Sequence, residues 1–166
     1  MCCEYFRLRG DILSQISFDE LATSFRYQVV KTWLFRSGLP QSKAALLLSA
    51  EAHDSGYVNE PKKLSGSMLA AWGKSRSTPY WAAAAALSLL LKDGWIPSTY
   101  SEWAGTAYLL VREKDSDDLD DYFHLLPENV DRMLAAGWIW AAIIARKFFV
   151  YEKKAIRMPP VSFQDS

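Results

Sequence analysis

The 166-residue sequence is half apolar and 14% aromatic, with seven Trp, and its 19 basic side chains match its 19 acidic ones. That length suits one domain with enough core to fold without a metal or disulfide, and the neutral sum argues against a dedicated nucleic-acid binder, which draws non-specific affinity from excess positive charge. Cys2 and Cys3 are sequence neighbours and a poor basis for a disulfide or a zinc site, while the longest apolar runs, Tyr80–Leu91 and Met133–Ala145, fall short of the about 20 residues a membrane span needs.

In chain order, Ser17-Phe18-Asp19-Glu20 has the S-x-x-E form of a capping box. Behind it Phe18, Leu21, Ala22, Phe25, Val29 and Trp33 recur at steps of three and four, which predicts an amphipathic helix over 18–36. Ser37-Gly38 and Pro40 stop it, and Ser42 begins a second helix over 43–54. The loop 57–65 carries Pro61, Lys62 and Lys63, and a short helix follows over 66–74. Thr78 is a suitable N-cap and Pro79 a favoured first residue for a helix over 79–93, closed by Gly94. That helix, Tyr-Trp, five alanines and Leu-Ser-Leu-Leu-Leu, has almost no polar side, so it should be buried nearly all round.

In the second half, AYLLVREK (107–114) and FFVYEKK (148–154) read as strands, and Pro127-Glu128-Asn129 opens one further helix over 128–140. The expected fold class is therefore α+β and predominantly α-helical. A helical bundle fills 17–94, a small β element is formed by 107–114 and 148–154, and one compact domain spans 1–157 ahead of a flexible tail, 158–166. Gly-Trp-Ile occurs at 94–96 and again at 137–139, each time followed by one of the two expected strands. The echo reads as two helix ends using the same glycine chemistry, with an old duplication as the other reading.

The neutral sum is a cancellation of blocks. Residues 31–80 hold seven bases against three acids, 113–131 hold eight acids against Lys114, and 146–157 hold five bases against Glu152. The first block offers a candidate anion or nucleic-acid site, Lys62, Lys63, Lys74 and Arg76, and the last adds Arg146, Lys147, Lys153 and Lys154. The middle block offers an acidic docking loop, Asp115, Asp117, Asp118, Asp120 and Asp121, set near Tyr122 and Phe123. Such a loop can imitate a nucleic-acid strand and compete for a basic groove.

Motifs for chemistry are incomplete. Helices 66–74 and 79–93 have the gap of a helix-turn-helix, but the second offers no Arg, Lys, Asn, Gln, Asp or Glu before Leu91, so it cannot read base edges. The run of short helices resembles repressor-type helical domains in a general way over about 50 residues, without specifying a family. Gly73-Lys74-Ser75 resembles the end of a P-loop, yet the required upstream glycine is Met68. Asp115 and Asp117, with Asp118 next to them, share the start of a calcium loop, which then has Leu119 at its third ligand position and lacks its glycine, Asp120 standing there, and its closing Glu. His53 and His124 make no ligand pair, and no nucleophile elbow exists.

The expectation is a cytoplasmic protein that is not an enzyme, with no cofactor, no metal, no small-molecule substrate and no membrane contact. It would be a protein-binding module with a charged protein partner, modulating or inhibiting a nucleic-acid-handling complex. Accessory factors of phages and plasmids, anti-CRISPR proteins among them, exemplify that class. A helical DNA- or RNA-binding transcriptional regulator is the alternative, so direct nucleic-acid binding stays open.

Overall fold

The computed structural model describes residues 17–157, the side chains of 149–157 excepted. Seven helices lie in this span: α1 (Phe18–Ser37), α2 (Gln41–Asp54), α3 (Gly66–Ala71), α4 (Tyr80–Lys92), α5 (Tyr100–Lys114), α6 (Asp120–Phe123) and α7 (Arg132–Arg157). The chain is mainly α, and among the described residues there is no sheet, only a single bridge between Trp72 and Arg76. The expected tail 158–166 lies outside the described residues.

The first half follows its local signals at α1, but two expected caps fail: Ser42 lies inside α2, which starts behind Pro40, and Thr78 does not cap α4, which starts behind Pro79, its hydroxyl donating instead to the Tyr27 carbonyl. Ser17 Oγ accepts from the Glu20 N–H while the Glu20 carboxylate accepts from the Ser17 N–H, a closed capping box. Gly38 ends α1 in the left-handed region. Ala22, Phe25, Val29, Val30 and Trp33 of α1 are buried, and they pack against α4 and α5. α4 lies among α1, α2 and α5, and its residues Ala82–Leu87 are all buried. Alanine makes this arrangement workable, because a methyl-sized side chain leaves room for neighbouring helices on every side.

The expected β element is overturned. Residues 107–114 are the second half of α5, and 148–154 lie inside α7. Thr99 caps α5 through the same reciprocal pattern as Ser17: its Oγ1 accepts from the Glu102 N–H, and the Glu102 carboxylate accepts from the N–H groups of Ser98 and Thr99. β-branched and aromatic residues suggested strand at both places, and tertiary packing overrides so weak a preference. Trp103, Ala107, Leu109 and Val111 of α5 are buried, and α5 packs on both α1 and α7. The close approach of α5 to α1 depends on Gly105, where a Cβ would overlap the Phe25 side chain.

α7 starts later than 128 and runs far beyond 140. Its cap is Asp131, whose Oδ1 accepts from the Met133 and Leu134 N–H groups. The two Gly-Trp-Ile segments are therefore not equivalent. Gly94 follows the end of α4 with φ 75°, whereas Gly137 lies inside α7. Among the described residues no helix is long and apolar enough to cross a membrane.

Candidate functional site

α7 carries apolar residues on two opposite sides. Ala135, Ile139, Ala142 and Ile143 are buried against the body. Met133, Gly137, Trp140, Ile144 and Phe148 recur at steps of four, three, four and four, which places them along one stripe of a helix. That stripe is bare: Met133 is 87% exposed, Phe148 66% and Trp140 49%. Four of the seven tryptophans (Trp33, Trp72, Trp95 and Trp103) are buried, and Trp140 is the most exposed. α7 packs on α5 and α1, which leaves its outer side without a neighbour among the described residues.

The acidic loop meets α7 through Arg146 and Lys147, between Ile144 and Phe148 along the helix. Asp115 ends α5 in the left-handed region. Tyr122 is fully buried and pins the loop from below, donating to the Ser116 carbonyl at 2.7 Å and accepting from the Ser116 N–H at 3.0 Å. Arg146 of α7 reaches Asp115 at 2.7 Å and Asp117 at 2.6 Å, and Lys147 reaches Asp117 at 2.8 Å. The Lys147 hydrogen bond, with the Arg146 charge beside it, holds the Asp117 carboxyl below its ordinary value.

The middle acidic block and the last basic block therefore meet. Arg146 and Lys147 are partners of the acidic loop, and they neutralise part of it. Asp118, Asp120 and Asp121 make no ion pair among the described residues; Asp118 Oδ1 accepts only from the Asp120 N–H. The side chains of Lys153 and Lys154, on the last turns of α7, lie outside the described residues.

The other predicted cations fall into two groups. Lys62 and Lys63 are exposed ahead of α3, where the Lys62 carbonyl accepts from Ser49 Oγ at 2.8 Å. Lys74 and Arg76 are exposed on the turn after α3. That turn is fastened to α1: Gly73 lies so close to the Tyr27 carbonyl that a Cβ would overlap it, and Lys31 Nζ donates to the Gly73 carbonyl at 3.2 Å.

Three features were missed in the sequence. One is the cluster beside this turn, where the Arg112 and Arg26 guanidiniums sit 3.6 Å and 4.4 Å from the centre of the Tyr80 ring. Tyr80 and Tyr108 share a hydrogen bond at 3.3 Å, and burial, then that bond, pushes the Tyr108 phenol above its ordinary value. No periodicity announces this group, since it joins three helices.

The second is a buried acid. Glu51 of α2 accepts from Ser88 at 2.6 Å, Ser55 at 2.8 Å and Lys92 at 2.7 Å and 2.8 Å. Burial pushes its carboxyl up, but these hydrogen bonds outweigh burial and hold it below its ordinary value.

The third is a cavity of about 490 Å³ between α4 and α5, floored by Leu87, Leu91, Leu109 and Leu126, with Tyr57, Glu113 and His124 also on its wall. Burial raises the Glu113 carboxyl, partly offset by Arg112. Burial, then Glu113, raises the Tyr57 phenol. His53 contacts Asp54, and His124 meets the Asp120 carbonyl. Among the described residues no three His, Cys, Asp or Glu side chains are grouped as metal ligands. The chain matches no protein-family model, no curated protein and no solved structure.

Proposed function

We propose that the protein is a non-enzymatic protein-binding module that holds a basic, amphipathic helix of a nucleic-acid-handling partner against the outer side of α7. One observation carries the reading: the bare stripe of Met133, Trp140, Ile144 and Phe148 on a helix whose opposite side is already buried. Each such side chain gains roughly 1.5–3 kcal/mol when fully buried, and tryptophan is enriched among residues that dominate binding.

The charge beside the stripe selects the partner's sign. Asp118, Asp120 and Asp121 remain after Arg146 and Lys147 have taken their share of the loop. Carboxylates at the rim steer a cationic surface and speed its approach. A basic surface covered in this way is closed to nucleic acid, so inhibition is the expected consequence.

The test is affinity capture from cells of the source organism with three proteins: wild type, M133E/W140E and D118N/D120N/D121N. A stoichiometric partner should be held by wild type and lost by M133E/W140E. The aspartate variant should associate more slowly, and more so at low salt. Capture unchanged by both variants overturns the proposal. So does light scattering that gives twice the 18.8 kDa chain mass for wild type but not for M133E/W140E, because the stripe would then be taken by a second copy.

A further inference from the structure

We infer that the face formed by Arg26, Lys31, Lys74, Arg76 and Arg112 binds the phosphodiester backbone of a nucleic acid, independently of α7. Among the described residues none of these five cations makes an ion pair, which is equally true of Lys62 and Lys63; what sets the group apart is that Arg26 and Arg112 both lie against the Tyr80 ring. Two guanidiniums against one phenol ring repel each other. The electron-rich ring face attracts both, but it carries no net charge to offset the repulsion. The Nε of Arg26 is buried without a hydrogen-bond partner among the described residues. Its Nη2 meets only the Tyr27 hydroxyl, at 3.2 Å. An anion against the exposed Arg112 guanidinium would offset the repulsion between the two.

The layout favours a polyanion over a single phosphate. Arg26 and Lys31 lie five residues apart on α1, about 7.5 Å along its axis. Arg112 stands on a different helix, and Lys74 and Arg76 on a turn held to α1 at Gly73. The cations are thus spread over more than one phosphate's reach, and the planar guanidinium fork suits phosphate oxygens. Tyr27, Tyr80 and Tyr108 are half-buried among them. Their rings hold Arg26 and Arg112 in place, so little freedom of these two side chains is lost on binding. This differs from the helix-turn-helix geometry, since α4 itself stays in the core.

The experiment is fluorescence anisotropy of the full chain with labelled random single-stranded and duplex DNA at several salt concentrations. Wild type should bind at least one probe at low salt, with affinity falling linearly in log[salt]. Substitutions R112E and K74E/R76E change exposed residues and should each weaken binding at least tenfold and flatten the salt slope. K62E/K63E, which reverses the cations ahead of α3, should stay within twofold of wild type. Unfolding by circular dichroism, unchanged in the variants, separates loss of site from loss of fold. No binding to either probe at low salt overturns the inference, as does equal loss in K62E/K63E. Binding of a phosphorylated peptide with no binding of DNA overturns it too. M133E/W140E should bind DNA as wild type does, so this result is independent of the α7 proposal.

Discussion

α4 and α7 are the two most apolar helices by sequence, and they end in opposite circumstances. α4 is enclosed by α1, α2 and α5, and its alanines let those neighbours approach. α7 has α5 and α1 on one side only, and its other side carries Met, Trp, Ile and Phe. The difference is one of side-chain size. Small residues all round a helix fit a crowded centre, where bulk has no room. Large residues on a second side cannot be served by the same neighbours, and they ask for another surface. An apolar helix is thus not simply a core helix; the volume of its residues indicates on how many sides it is already packed.

Giving α4 the bulk of α7 should have the largest effect. Ala85 is fully buried, so A85F should force neighbouring helices apart and cost about 3 kcal/mol, the upper part of the usual range for overpacking. Denaturant unfolding measures it. A loss below about 0.5 kcal/mol would mean that α4 is not tightly enclosed.

Next in size is the clamp between α2 and α4. Removing the Glu51 carboxylate strands Ser88, Ser55 and Lys92, and E51A should cost about 1–3 kcal/mol. Lys92 reaches solvent, which keeps the loss toward the lower end. The sign with pH follows from the lowered carboxyl of Glu51. Its stabilisation is complete above the ordinary carboxylate value of 4.5 and is lost as pH falls through the lower folded value. The gap between wild type and E51Q should therefore close in acid, as followed by unfolding at successive pH values. A gap independent of pH would place the effect in packing alone.

A pair of identical substitutions tests the two environments with opposite signs. On α5, against α1, a Cβ at Gly105 would overlap Phe25, so G105A should destabilise. On the outer side of α7, Gly137 has open space around it. G137A should there stabilise by about 0.5–1 kcal/mol, the usual gain of alanine over glycine inside a helix. Melting temperatures of the two variants should move in opposite directions. If both fall, something other than solvent covers Gly137.

How far the sequence could be read depended on which signals were local. The capping box at Ser17, the stop at Gly38 and the burial of Ala82–Leu87 are written in adjacent residues, and each was legible. Thr99-Tyr100-Ser101-Glu102 has the same form as the Ser17 box and marks the start of α5, but the Val and Leu of 109–111 drew attention to a strand. At 148–154 the aromatic run hid a helix that was already under way from Arg132. The acidic loop was legible as composition. Its pairing with Arg146 and Lys147 was not, because nothing in a sequence says which opposite charges a fold brings together across 29 to 31 residues. The Arg26–Tyr80–Arg112 group is non-local in the same way.

The smallest expected effect lies where the shell around α4 opens. Leu87, Ser88, Leu91 and Lys92 of α4 face the cavity that Glu113 of α5 also lines. Burial raises the Glu113 carboxyl, the reverse of Glu51. A carboxyl raised in the folded state is costly when ionised, and the cost fades as pH falls through the folded value. E113Q should therefore raise the melting temperature near pH 7, and the gain should shrink toward pH 4.5. The side chain is exposed on one side, so solvent screens most of the penalty. A rise of about 1–2 °C corresponds to a few tenths of a kcal/mol at this chain length. A rise shows that α4 meets a dry, apolar wall even at its opening. Equal melting at both pH values shows water in the cavity, and α4 is then fully enclosed only from Ala82 to Leu87.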